Sequence, residues 1–172
     1  MPAFDFIGFW MPFLAALACS RWFVRDRFAI ITTLLCAGLI ALQFVLPGVQ
    51  EFYKSWATLN GSTSIGYRTL FPFMLLYPLL GGRDPRCAIA GGFFSVAIPD
   101  VPVAWWNAVH DPSVVWTVGV DHWRDGLVLS PVVTAILTTV FSVTEIVKPD
   151  AREAMAKMHW KTLVRRIVDG KR

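Results

Sequence analysis

Residues 87 to 109 read CAIAGGFFSVAIPDVPVAWWNAV, and this stretch decides the fold class. Asp100 is the one Asp, Glu, Lys, Arg or His among these 23 residues. A helix needs about 20 predominantly apolar residues to cross a hydrocarbon core of about 30 Å. The stretch is therefore predicted to be a membrane-spanning helix.

The rest of the chain repeats this pattern. Hydrophobic residues make up 55% of the 172 residues and charged residues 16%, with a mean hydropathy of +0.53. These values depart from those of soluble domains. The apolar blocks predict an all-α membrane protein whose residues 1–147 form a bundle of about five transmembrane helices. The predicted spans are residues 3–20, 28–47, 65–81, 87–109 and 127–147. Pro12, Pro72 and Pro78 are expected to kink the first and third spans.

The distribution of Lys and Arg predicts the orientation. Short loops rich in Lys and Arg stay on the cytoplasmic side of a membrane. With the N-terminus outside and the C-terminus inside, 13 of the 16 basic residues fall in the cytoplasm, and only Lys54, Arg68 and Arg124 fall outside. We therefore expect a multi-pass protein of the inner, cytoplasmic membrane. No base-reading motif accompanies the basic residues, so nucleic acid is not expected as a partner.

Two segments outside the spans have amphipathic patterns. Residues 48–64 are predicted to form a short interfacial helix in the first outer loop. Residues 148–172 form a cytoplasmic tail predicted to be a basic amphipathic helix. Its apolar face consists of Trp160, Leu163, Val164, Ile167 and Val168. A basic helix of this kind suits the anionic cytoplasmic leaflet, and the alternative is docking onto a cytoplasmic partner.

Asp100 is the first candidate for chemistry. A carboxylate at bilayer depth is costly and usually faces a bundle interior or a wet cavity at a functional site. The flanking Pro99 and Pro102 free helix carbonyls and predict a broken helix, as at the ion or substrate sites of transporters. The alternative is that the chain is already near the outer headgroups at Asp100.

A second cluster follows in the predicted outer loop. Imidazole and carboxylate groups together form ligand sets for zinc, iron or manganese, and His is a natural acid or base near neutral pH. The candidate ligands for a possible divalent metal are His110, Asp111, Asp121, His122 and Asp125. The candidate catalytic residues are Asp100, His110 and Asp125. Their spacing matches no specific motif such as HExxH, and the need of an outer loop for soluble residues is the favoured account of the cluster.

The fifth span carries hydroxyl residues at every fourth position. They are Ser130, Thr134, Thr138 and Ser142. The fourth span offers small residues at the same spacing, which are Ala88 and Gly92, and Gly91 and Ser95. Small and hydroxyl residues are typical of helix contacts in membranes. We therefore favour packing of these two spans over a polar conduction path.

Three functions are consistent with these features. The first, which we favour, is a small polytopic inner-membrane protein that acts as a subunit, accessory or interaction protein of a membrane complex. Its partners would be the lipid bilayer and a membrane protein or further copies of the chain. The second is a membrane enzyme, metal-dependent or hydrolase-like with acid/base chemistry, whose site lies on the outer face. The third is a cation or proton channel or carrier component that uses Asp100.

Overall fold

In a computed structural model, residues 2–45, 72–110, 117–119 and 125–144 are described. The predicted interfacial helix at 48–64, the first half of the predicted third span and the tail at 148–172 lie outside these residues. Helices dominate the described part. In chain order its elements are β1 (Ala3–Phe4), a π-helix (Phe6–Trp10), α1 (Met11–Phe23), α2 (Arg27–Val45), α3 (Pro72–Leu79), α4 (Pro85–His110), β2 (Thr117–Val118) and α5 (Gly126–Thr144).

Three of these helices are long and apolar enough to cross a membrane. They are Phe6–Phe23, which joins the π-helix to α1, Pro85–His110 and Gly126–Val143. The part of α2 from Arg27 to Leu42 is a shorter apolar helix. Within the described residues α3 has eight residues, so it extends for only about 12 Å at 1.5 Å per residue. The chain therefore has the helices of a membrane protein, three of them of spanning length.

The long helix α4 lies at the centre of the bundle. It packs against α1, α2 and α5, while α3 packs mainly against α5 and α2. The sequence explains this position, because small residues cover much of α4 and let neighbouring helices approach closely. Its buried small residues are Cys87, Ala88, Ala90, Gly91, Gly92, Ser95, Ala97 and Ala108. Phe93, which is 1% exposed, joins α4 to the π-helix and to α1 by ring contacts with Phe9 and Phe13 at centroid distances of 5.8 and 5.9 Å.

The predicted break in the fourth span is wrong. The helix α4 continues without interruption from Pro85 to His110, through Pro99 and Pro102. Each proline removes one intrahelical hydrogen bond, but the neighbours that surround α4 hold the helix together. Pro12 lies inside the helical segment Phe6–Phe23, just after its π-helical part. Pro72 is the first described residue of α3. The predicted kinks at these prolines stay predictions.

One end of the bundle carries all the arginines of the described residues. We call it the arginine end, and it consists of Arg21, Arg25, Arg27, Arg83 and Arg86. Two contacts link the elements that meet there. The Cζ of Arg86 on α4 lies over the ring of Trp22 on α1. The hydroxyl of Ser142 on α5 donates to the carbonyl of Arg83. The helices α2 and α4 begin at this end.

At the opposite end, the start of the chain is bonded to the connection between α4 and α5. The strands β1 and β2 pair in parallel, with Ala3 opposite Thr117 and Phe4 opposite Val118. Next to this pair the backbones of Gly8 and Gly119 touch, and Gly119 has a φ of +82°. Only glycine allows both the close approach and this left-handed conformation without strain. The N-terminal segment is thereby fixed beside α5.

Candidate functional site at the aspartate end

Three aspartates from three different elements lie at the end opposite the arginines. Asp5 precedes the π-helix, Asp100 lies within α4 and Asp125 precedes α5. Asp5 is fixed there because its backbone N–H donates to the carbonyl of Val118 at 3.0 Å. Asp100 and Asp125 are close enough for their carboxyl groups to interact electrostatically. We call this region the aspartate end.

Asp5 acts as a helix cap. One oxygen of its carboxylate accepts hydrogen bonds from the backbone N–H groups of Ile7 and Gly8, at 2.9 and 2.7 Å. These N–H groups belong to the first turn of the π-helix, where no helical carbonyl can reach them. The carboxylate therefore stabilises the start of the first span.

Asp125 has the same role at the start of α5. Its carboxylate accepts from the N–H of Leu127 at 2.9 Å, and its carbonyl accepts from the N–H groups of Val128 and Leu129 at 3.0 and 2.8 Å. The residue is only 9% exposed. A predicted catalytic residue and metal ligand is therefore a helix cap in the structure. The signal was present in the sequence, because an Asp directly before an apolar run is a helix-start pattern.

Asp100 differs from these two capping residues. It lies inside a helix, and among the described residues the charged group that interacts electrostatically with it is the like-charged Asp125. Among the described residues, no hydrogen bond to its carboxylate is present. The structure thus brings together two of the three predicted catalytic residues, but only Asp125 has a structural reason for its position.

Asp100 is level with the start of α5. Because Asp100 and Asp125 are close, the last ten residues of α4, from 101 to 110, extend past the first residue of α5. At 1.5 Å per residue this extension is about 15 Å long. It carries Trp105 and Trp106, which are 49% and 65% exposed. Tryptophans of this kind are typical of membrane interfaces.

His110 lies at the far end of this extension. Ten residues separate it from Asp100 along the helix, so the two side chains are not brought together. The imidazole turns back on its own helix, with Nδ1 2.8 Å from the carbonyl oxygen of Trp106 and the ring stacked on the indole at 4.0 Å. The described residues therefore do not bring His110 beside Asp100, and the catalytic role of Asp100, His110 and Asp125 stays a prediction.

The predicted metal site falls mostly outside the described part of the chain. Asp111, Asp121 and His122 are not among the described residues, and His110 and Asp125 are. Within residues 2–45, 72–110, 117–119 and 125–144, no group of three His, Cys, Asp or Glu side chains is placed to hold one metal ion. The metal site stays a prediction.

The hydroxyl stripe of α5 faces the interior, as predicted for a helix contact. Ser130, Thr134 and Thr138 are fully buried, and the hydroxyl of Thr134 donates to the carbonyl of Ser130. Opposite them on α4, a Cβ added at Gly92 would lie 2.7 Å from the Cα of Pro131. Helix backbones this close leave no room for water between them at that level. The packing prediction is confirmed, and the contact of Gly92 with Pro131 opposes a conduction path between α4 and α5 at that level.

Comparison with known proteins adds no family to this description. The chain matches no protein-family model, no curated protein and no solved structure.

Proposed function

We propose that the chain is a multi-pass protein of the cytoplasmic membrane that acts as a subunit or interaction protein of a membrane complex. The distribution of arginines supports the multi-pass arrangement. All five arginines of the described residues lie at one end, and the pairing of β1 with β2 puts the N-terminus and the connection between α4 and α5 at the other. Under the positive-inside rule, the arginine end would be cytoplasmic and the N-terminus outside.

One observation carries the interaction role, and it concerns Gly38. This glycine lies in the middle of α2, on a face where nothing among the described residues comes within 4 Å of the position of a Cβ. Its exposed apolar neighbours are Leu34, Leu35, Leu39 and Leu42, with exposures of 58, 59, 46 and 51%. A glycine inside a helix lowers helix stability by about 1 kcal/mol relative to alanine. No described packing within the chain offsets this loss.

A partner helix would explain the glycine. In membranes, small residues let two helix backbones approach closely, and the resulting packing drives association where the hydrophobic effect cannot. The face formed by Leu34, Leu35, Gly38, Leu39 and Leu42, which we call the α2 face, has a small residue at its centre and larger residues around it. It therefore suits a second helix, from another membrane protein or from another copy of the chain.

In-membrane crosslinking tests this role. A photo-crosslinking amino acid at Leu35, on the α2 face, should give protein adducts in intact membranes, whereas the same group at Leu75 on α3 should react with lipid. Leu35 and Leu75 are similarly exposed, at 59% and 57%. Gly38→Leu should remove the adducts because the added side chain holds the partner backbone away. Ala15→Leu, a matched enlargement of an exposed small residue on α1, should leave them.

The opposite results would contradict the proposal. If Leu35 gave only lipid adducts in the unmodified chain, the α2 face would be a lipid-facing surface. If Gly38→Leu and Ala15→Leu reduced protein adducts equally, the glycine would have no special place in the contact.

A cation or proton carrier component is the second candidate. The specific observation in its favour is that Asp100 lies within the apolar helix α4 and interacts electrostatically with Asp125, because two like-charged carboxyl groups favour the binding of a proton or a cation. The close contact of Gly92 with Pro131 opposes a path along the interface of α4 and α5. Any such path would have to follow another face of α4.

A further inference from the structure

The arginine end contains a pair of guanidinium groups that the helix packing alone does not explain. Arg21 and Arg86 both lie over the indole ring of Trp22, with Cζ 4.6 and 4.5 Å from the ring centroid. We propose that Arg21 and Arg86, beside Trp22, bind the phosphate group of an anionic phospholipid. This site is separate from the α2 face and does not depend on the proposed interaction role.

The two arginines lie close to each other. Since both distances are measured to the same ring, the two Cζ atoms are at most about 9 Å apart. Charge-assisted hydrogen bonds of about 2.8 Å place a guanidinium carbon roughly 4 Å from a phosphorus atom. Two guanidinium groups that share one phosphate are therefore separated by roughly 8 Å or less, so the proposed site requires both groups to approach the phosphate from the same side of the indole ring.

Arg86 is already oriented for such a contact. Its Nε and one terminal nitrogen donate to the two carboxylate oxygens of Asp84 at 3.0 and 2.9 Å. A guanidinium has five N–H donors, so three remain after this ion pair forms. Asp84 in turn accepts from the backbone N–H of Arg86 at 2.9 Å, which fixes the carboxylate at the start of α4. The outer edge of Arg86 is thereby held in place for an acceptor.

The described residues of the arginine end carry an excess of positive charge, which favours an anionic partner. Five arginines lie there with two described aspartates, Asp26 and Asp84, which leaves an excess of three positive charges. Asp26 accepts from the backbone N–H groups of Phe28 and Ala29. Within the described ranges the single Lys or Arg ion pair is that of Arg86 with Asp84. Arg21 is exposed and forms no described ion pair.

The surroundings favour a lipid over a free phosphate ion. Towards the middle of α1, Leu14 and Leu17 are exposed by 56% and 53%, and they lie on the same helix as Arg21. An apolar surface next to a phosphate-binding group can receive the acyl chains of the same molecule. Trp22 is half-buried at this boundary, where indole rings are common.

Lipid binding by the full-length chain in detergent micelles tests the site. Native mass spectrometry would measure the affinity for dioleoyl phosphatidylglycerol, with dioleoyl phosphatidylcholine as the neutral lipid. Arg21→Gln/Arg86→Gln should weaken binding of phosphatidylglycerol by about tenfold or more, given roughly fivefold for each arginine near an anionic headgroup. Arg25→Gln/Arg27→Gln removes the same charge at the same end and should weaken binding clearly less, because neither arginine belongs to the pair described over Trp22. Inorganic phosphate at the same concentration should not compete.

Each other result would overturn the proposal. Equal losses in the two double variants would show that charge at this end attracts lipid without a defined site. Equal affinity for the two lipids would remove the role of the negative charge, and competition by inorganic phosphate would remove the role of the acyl chains. Arg86→Gln removes the partner of Asp84, and this loss can disturb folding. In that case the affinities of the single variants Arg21→Gln and Arg25→Gln for phosphatidylglycerol are compared instead, because both variants keep the ion pair of Arg86 with Asp84.

Discussion

The two ends of the bundle use charged side chains in opposite ways. At the aspartate end, Asp5 and Asp125 turn inward and accept hydrogen bonds from backbone N–H groups of the helices that they begin. At the arginine end, the guanidinium groups turn outward, and Arg86 is the one in a described ion pair. The aspartates therefore stabilise the chain itself, whereas the arginines remain available to the lipid or protein around it.

This difference follows from what each side chain can reach. A short carboxylate at a helix start meets free N–H groups within its own turn. A long guanidinium has donors only and cannot be satisfied by those groups. Charged residues at a membrane boundary thus divide into those that begin helices and those that bind external anions. Asp100 fits neither class, since it begins no helix.

The largest effect is expected from breaking the contact that joins the N-terminus to the aspartate end. Gly119→Ala places a side chain on a residue with a φ of +82° and puts its Cβ 2.6 Å from the carbonyl carbon of Gly8. Gly8→Ala adds a Cβ that overlaps the carbonyl oxygen of Gly119. Strain and overpacking of this kind should lower the free energy of unfolding by about 3 kcal/mol or more. Thermal unfolding in detergent, followed by tryptophan fluorescence, measures the change.

Gly38→Ala is the matched control for these two substitutions. It adds the same methyl group where nothing described lies within 4 Å, so it should leave stability unchanged or raise it slightly. Equal losses for all three variants would mean that glycine flexibility in general, and not the contact of Gly8 with Gly119, stabilises the chain.

The sequence predicted the helices well and their contacts poorly. The predicted spans 28–47, 87–109 and 127–147 agree closely with α2 at Arg27–Val45, α4 at Pro85–His110 and α5 at Gly126–Thr144. Hydropathy is a local property, so each apolar run reveals its own helix. The pairing of Ala3 with Thr117 joins residues more than a hundred positions apart, and no local pattern encodes it.

The same limit applies to the candidate site. Asp100 was found because a carboxylate in an apolar run is conspicuous. Its closeness to Asp125 depends on how far α4 extends past the start of α5, which residue spacing does not give. His110 was named as a candidate beside Asp100 because the two residues are near each other in the sequence. The continuous helix α4 separates them by ten residues. Helix capping by Asp125 was readable from local sequence.

An intermediate effect is expected from substitutions that separate Asp125 from Asp100. Asp125→Ala removes the cap of α5 and should lower the free energy of unfolding by about 1 kcal/mol, whereas Asp125→Asn keeps an acceptor for the N–H of Leu127 and should lower it less. Asp100→Asn replaces a half-buried carboxyl group that accepts no described hydrogen bond with a neutral amide, and should raise stability by about 1 kcal/mol. Unfolding of the purified variants at pH 7 compares the three.

If Asp100→Asn is more stable than the unmodified chain, the Asp100 carboxylate lowers the stability of the fold. A carboxylate that is present at a cost in stability favours the carrier candidate. A loss as large as that of Asp125→Ala would mean that the Asp100 carboxylate has a favourable partner and is structural. The two results therefore separate the functional and structural interpretations of this residue.

The smallest effect is expected at the arginine end, from the ion pair of Asp84 with Arg86. The hydrogen bonds from the Arg86 side chain hold the pKa of Asp84 below its ordinary value of 3.8. A carboxyl group with a lowered pKa in the folded state stabilises that state above its ordinary pKa, and the contribution disappears as the pH falls through the lower value. Asp84→Asn should therefore be slightly less stable than the unmodified chain at pH 7, with the difference shrinking below pH 3.8.

The pair is partly exposed, with side-chain exposures of 50% for Arg86 and 26% for Asp84, so the difference should also shrink at high salt. Thermal unfolding across pH and salt measures both trends. In an Arg86→Gln background, Asp84→Asn should show neither trend, because the partner that lowers the pKa is absent. Since Asn can accept the same backbone hydrogen bond, Asp84→Asn removes the charge of Asp84 and keeps its capping role. A difference that stays constant with pH would therefore contradict the assignment of this contribution to the ion pair with Arg86.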